Sequence, residues 1–281
     1  MIAQQFTQQQ LIAMLAWQVE MGADEAVLDK PSHDLQALQS SDDISGSTLT
    51  PVSVASQPPS APTITAPLAS PAPAPAPPSP IVPAHTHHID SLSDLATALS
   101  QLDSCPLKHT ASTMCFADGN AGARLMIIGE APGRDEDRLG VPFVGAAGQF
   151  LDHMLASIGL DRSGVYLTNF LPWRPPGNRT ATAEETDMLL PYLYRHIQLA
   201  NPELVVILGG MPAKTMLKSG DDILKLRGRW HDIEYGDGVM RPTMASLHPA
   251  YLMRSPAQKR LAFEDWCGLY HRLGNMPPPV A

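Results

Sequence analysis

Four short apolar runs, separated by stretches of helical periodicity, restrict what this chain can fold into more than any other feature of it. They are RLMIIG (124–129), VYLTN (165–169), LVVILG (204–209) and RPTMASL (241–247). GQFLDHMLASIG (148–159), AEETDMLLPYLYRHIQLA (183–200), MPAKTMLK (211–218) and PAQKRLAFEDWCGLYHRL (256–273) read as helices. Strands alternating with helices pair in parallel, because each crossover is long enough to hold a helix, and the helices then cover both faces of the sheet. Residues 93–281 are therefore expected to form one α/β domain. Ligands of such sheets sit beyond the C-terminal strand ends. Polar residues gather there: Glu130 follows the first run, Asn169 closes the second and His248 stands just after the last.

Upstream the composition changes. Residues 1–30 place Leu11, Ile12, Met14, Leu15, Trp17 and Val19 at helical spacing, with Gly22 as a stop. An amphipathic helix is expected, which either packs on the main domain or docks on a protein partner, with disorder as the remaining reading. Residues 31–92 are rich in Pro, Ala and Ser; proline removes backbone donors and fixes φ, so a disordered, extended linker is expected. HTHH (85–88) has no second ligand set beside it, and no metal role is assigned to it.

The chain's net charge of −9 is unevenly placed. Residues 1–99 hold nine acids and one base, whereas residues 100–281 hold nineteen acids and eighteen bases. The C-terminal part is thus nearly neutral and has room for basic patches that face an anionic partner. Three cysteines, Cys105, Cys115 and Cys267, are too few for a disulfide framework. With no secretory pattern at the N-terminus and no long apolar run, a cytoplasmic protein without a membrane association is expected.

The segment GEAPGRDEDRLGVPFVGAAG (129–148) starts like a phosphate-binding loop and fails as one. Its glycines miss the G-x-G-x-x-G spacing, Pro132 lacks an amide, and Glu130, Asp135, Glu136 and Asp137 repel phosphate. Phe143, in a rigid turn beside a strand end, is either core or a stacking face for a planar ligand. In TNFLPWRPPGNR (168–179), Asn169 can offer a paired donor and acceptor to an amide-like edge, and Asn178 and Arg179 follow a stiff diproline. SLHPAYLMRSP (246–256) carries His248 and Arg254.

Together these three segments resemble the signature segments of the family 4 uracil-DNA glycosylases, over about residues 101–273 and in the same order. The resemblance implies a three-layer α/β/α sandwich around a four-stranded parallel sheet. It implies a DNA-repair hydrolase of base excision repair that flips uracil out of DNA and hydrolyses its N-glycosidic bond. Phe143 matches the residue that stacks on uracil, Asn169 the one that reads its amide edge, and His248 the donor to uracil O2. Ala131 stands where related families place a water-positioning Asp; it and Asn178 join Phe143 and Asn169 as uracil-facing candidates. Leu252 or Met253 matches the wedge that fills the vacated base position.

Cleavage leaves an oxocarbenium-like sugar and a uracil anion, so a donor on O2 and a carboxylate near the sugar both suit the chemistry. Glu130 and Glu136 are the carboxylate candidates, with Asp135 behind them. DNA contacts are expected from Arg174, Arg179, Arg227, Arg229, Arg254 and Lys259, the densest basic stretch being KLRGRW (225–230).

One departure follows from the same resemblance. Family members carry four cysteines on an iron-sulfur cluster. Here Cys105 alone matches; Leu102, Trp173 and Leu189 occupy the other positions, and Cys115 and Cys267 fill none of them. One thiolate cannot hold a four-iron cluster, so no cofactor is expected and apolar packing should close the space. Two other readings stand beside uracil excision: a non-catalytic module that binds DNA or a protein on the same fold, and a glycosylase shifted to hypoxanthine or xanthine.

Overall fold

The computed structural model describes Thr86 and residues 88–274. The expected N-terminal helix (1–30) and nearly all of the expected linker (31–92) lie outside the described residues. Residues just before 93 already belong to the domain. Ile89 is buried, the Arg195 Nε donates to its carbonyl at 2.8 Å, and Ser91 caps the first helix by accepting from the Asp94 amide.

In chain order the elements are helices α1 (Leu92–Ser100) and α2 (Pro106–Thr110), strands β1 (Asp118–Gly119) and β2 (Leu125–Gly129), and helices α3 (Arg134–Leu139) and α4 (Ala146–Ser157). Strand β3 (Val165–Asn169), helix α5 (Ala183–Ala200), strand β4 (Leu204–Leu208), and helices α6 (Gly210–Met216) and α7 (Ile223–Leu226) follow. Strands β5 (Trp230–Glu234) and β6 (Met240–Ser246), then helices α8 (Pro249–Arg254) and α9 (Lys259–Gly274), complete the fold.

The four expected strands form the parallel centre of the sheet, in the order β3-β2-β4-β6. Two antiparallel edge strands extend it, β1 on β3 and β5 on β6, so the sheet is six-stranded and mixed rather than four-stranded. The central strands read as unbroken apolar runs because both faces are covered. Successive side chains alternate between two cores. Met126 and Ile128 of β2, with Val205 and Ile207 of β4, join Leu95, Leu193 and Ile197 on one face. Leu125, Ile127, Leu204 and Val206 join Leu151, Met154, Trp266 and Leu269 on the other. This is the expected three-layer sandwich.

The long helix α5 starts at a capping box: the Thr182 hydroxyl accepts from the Glu185 amide while the Glu185 carboxylate accepts from the Thr182 amide. The crossover from β2 to β3 carries α4 on one face, and that from β4 to β6 carries α6 on the other. Adjacent strands β2 and β4 therefore send their connections to opposite sides, and a crevice opens beyond their C-terminal ends.

Candidate active site

That crevice is a cavity of about 400 Å³. Each central strand contributes to it at its C-terminal end: Glu130 after β2, Asn169 at the end of β3, Gly209 after β4 and His248 after β6. Ala131, Glu136, Phe143, Asn178, Arg179 and Arg254, all expected from sequence, also line it. Tyr251 and Ile223 line it too and were not anticipated. Tyr251 lay within a segment already singled out, but an aromatic on a six-residue helix gives no periodic signal of the side it faces.

Gly129 sets the floor. A Cβ there would stand 2.3 Å from the Asn169 Oδ1 and 2.6 Å from the Phe143 Cζ. Only a missing side chain lets the amide and the ring meet at one strand end. Asn169 lies beside Gly129 in the parallel register and is buried. Phe143 is buried as well, with φ of 57°, a left-handed conformation uncommon for a bulky residue. Its ring lies 6.0 Å from the His248 ring, with 24° between the planes.

His248 caps α8. Its Nδ1 accepts from the Ala250 amide at 3.2 Å, which leaves the neutral ring's proton on Nε2. Burial, and after it the charge of Arg254, holds its pKa down at about 4. At neutral pH His248 is an uncharged Nε2–H donor.

The acids separate by environment, with Glu130 after β2 and Asp135, Glu136 and Asp137 in the first turn of α3. Glu130 has no hydrogen bond or ion pair to its carboxylate among the described residues, and its Oε2 lies 3.5 Å from where a Cβ on Gly209 would stand. Burial raises its pKa. Glu136 is buried and tied down: its Oε1 accepts from the Gly145 amide at 2.8 Å, and its carbonyl accepts from the Cys115 thiol at 2.9 Å. Asp135 does not line the cavity; its carboxylate is half exposed and faces Arg138 at 3.7 Å. Asp137 is buried, and its Oδ1 accepts from the Ser112 amide at 2.8 Å.

The expected DNA contacts divide likewise. Arg229 and Arg254 are exposed. Arg174 donates to the Asn178 Oδ1 at 2.7 Å, which holds exposed Asn178 at the rim rather than on the cavity floor. Arg179 lines the cavity while making two bonds, 2.8 and 2.6 Å, to buried Glu185. Three expectations need correction. Arg227 is 13% exposed and engaged by Asp265 at 3.0 and 2.5 Å and by the Leu261 carbonyl, so its donors are already used inside the fold. Lys259 is buried with its ammonium 5.2 Å from the Phe150 ring centre. Leu252 is 0% exposed and belongs to the core, whereas Met253 beside it is 46% exposed.

The positions to which the resemblance assigns cluster ligands do not fit an iron-sulfur cluster. Leu102, Cys105, Trp173 and Leu189 lie in one apolar cluster, and burial raises the pKa of the lone Cys105 thiol. Cys115 is buried by the carboxylate loop with its thiol pushed up to about 12, first by burial and then by the charges of Asp137 and Glu136.

Comparison with known proteins adds an independent finding. A model of the uracil DNA glycosylase superfamily matches residues 116–267. The type-4 uracil-DNA glycosylase of Archaeoglobus fulgidus is 39% identical over 197 residues, covering 68% of this chain and 98% of the relative. That of Pyrobaculum aerophilum is 35% identical over 170 residues, 59% of this chain and 86% of the relative. That of Thermotoga maritima is 34% identical over 163 residues, 57% of this chain and 83% of the relative.

Proposed function

This chain belongs to the uracil DNA glycosylase superfamily and to its type-4 family, and on that premise we propose that it hydrolyses the bond between uracil and deoxyribose in DNA. The observation that carries the reading is the meeting of Phe143 and Asn169 over Gly129, with a neutral His248 on the same cavity. A uracil flipped out of the helix would stack on the Phe143 ring. The Asn169 Oδ1 would accept from uracil N3–H while its Nδ2 donates to O4. This pairing rejects cytosine, whose edge presents an acceptor at N3 and a donor at C4. The His248 Nε2–H would donate to O2.

As the C1′–N1 bond breaks, its electron pair passes to uracil and the sugar becomes an oxocarbenium ion. The donor on O2 stabilises the anion without a prior protonation step, because His248 is already neutral. A water oxygen then bonds to C1′ and gives up a proton to Glu130, whose free carboxylate makes it the water-handling group. Glu136 acts behind it as a strut between α3 and the start of α4. The uracil anion takes up a proton on leaving.

The same reading places Met253 in the gap left by the flipped base, and Arg229 and Arg254 against phosphates. It has the protein work without an iron-sulfur cluster, because apolar packing stands where cluster thiolates would be needed. In this reading residues 1–30 would serve as a docking element for a protein partner. Uracil-containing DNA is the substrate in this reading; among the described residues no helix is long and apolar enough to cross a membrane.

The test is incubation with oligonucleotides carrying a single uracil or a single hypoxanthine, followed by alkali. Scission of the uracil strand is expected. Scission of the hypoxanthine strand alone overturns the assignment of substrate, and tight binding with no scission of either overturns catalysis.

A further inference from the structure

Phe143 holds a left-handed backbone with its ring against Gly129, and the Arg162 guanidinium bonds to its carbonyl. We propose that Arg162 is a positioning residue for uracil excision, acting solely through the Phe143 ring; this rests on the reading of Phe143 as the stacking face. Arg162 opens the short 3-10 turn before β3, far in sequence from the loop it holds. Its guanidinium bonds to three residues, two on regular elements and one in the turn before α4. Nη1 meets Asp118 of β1 at 2.6 Å, Nε meets Asp152 of α4 at 2.9 Å, and Nη2 donates to the Phe143 carbonyl.

The carbonyl is confined on its other side. A Cβ on Gly148 would stand 1.7 Å from the Phe143 oxygen, so the first turns of α4 press directly on it. The Arg162 backbone is fixed in turn by Gly119, where φ is 83° and a Cβ would stand 2.7 Å from the Arg162 carbonyl. Peptide 143 thus lies between the glycine face of α4 and a guanidinium anchored to two carboxylates. No other side chain among the described residues bonds to that carbonyl. A planar fork reaches acceptors spread across its width in fixed directions, whereas the three donors of a lysine radiate from a single nitrogen. Arg162 does not line the cavity, so its influence on the reaction is indirect.

Arg162→Lys keeps the charge between Asp118 and Asp152 while losing the third bond. Two measurements on it decide the matter. The first is amide hydrogen exchange over residues 141–149, which needs no activity; faster exchange there, with the rest of the domain unchanged, is expected. The second is the single-turnover rate of uracil release, in the native background and again with Phe143→Leu. A loss of about tenfold to a hundredfold is expected in the native background, since small misplacements near a reacting centre have that effect. In the Phe143→Leu background the loss should shrink to within about twofold, since residues acting through one another are not additive. Equal losses in both backgrounds, or unchanged exchange in the loop, overturn the proposal. Absence of uracil release from the unaltered protein overturns the functional reading, while the exchange measurement still decides whether Arg162 holds the loop.

Discussion

Glu130 follows β2 and Glu136 lies six residues on, in α3, and the fold gives them different work. The Glu136 carboxylate is spent on the Gly145 amide, whereas that of Glu130 meets no partner among the described residues. Burial raises the Glu130 pKa, so on acidification it takes up a proton at higher pH than a solvated glutamate does. The form that accepts a proton from water is the ionised one. Activity should therefore fall on the acid side from above the ordinary glutamate range. Glu130→Gln should lower the single-turnover rate by about 10² to 10⁴-fold and remove that limb. His248, neutral down to about pH 4, should add none above it. A pH–rate profile of both proteins checks this, and an acid limb that persists in the variant would assign the water to another group. The residue types of this site were legible in the sequence; the division of labour was not. It depends on the Gly145 amide, nine residues from Glu136, and on a left-handed turn at Phe143 that no propensity signals.

At the scale of elements, α8 shows what a short helix conceals. Leu252 and Met253 are neighbours of similar character, and six residues carry too little periodicity to say which one faces in. The structure buries Leu252 and exposes Met253. Leu252→Ala should lower stability by about 2 to 5 kcal/mol, as truncation in a packed core does. Met253→Ala should leave stability nearly unchanged and weaken excision from duplex DNA more than from single strands, where no stack needs filling. Thermal melts and paired rate measurements separate the two. KLRGRW is a similar case. Its charge density was visible, but the partner of Arg227 is Asp265 on α9, a contact between distant parts of the chain. The central strands were legible because burial on both faces makes them apolar throughout. The edge strands were not, since β1 has two residues and β5 is only half buried and largely polar.

Over the whole molecule, charge and protonation act together. The acidic excess lies in residues 1–99, which leaves the nearly neutral remainder free to meet DNA through local cations. Arg229→Ala and Arg254→Ala should each reduce the slope of log affinity against log salt by about one. Arg227→Ala should act on stability instead, by about 3 to 5 kcal/mol, because it strands a buried carboxylate.

Acid should loosen the fold through His196. It is buried, its Nε2 lies 2.9 Å from the Tyr166 hydroxyl, it stacks on Phe116, and burial lowers its pKa to about 3. Below the ordinary value near 6.5 the unfolded chain binds a proton that the folded one refuses. This contribution is therefore complete above that pH and lost on the way down to about 3, at about 1.4 kcal/mol per pH unit. Urea midpoints at pH 7 and pH 5 should fall less far apart in His196→Phe than in the unaltered protein.

A pocket equipped to excise uracil stands on a domain where Leu102, Trp173 and Leu189 pack around Cys105. Uracil release should be measured on a preparation whose iron content and absorbance near 400 nm have been read. Release from colourless, iron-free protein is expected. Release that rises in proportion to bound iron, or none at all from folded protein in excess over the oligonucleotide, would contradict it.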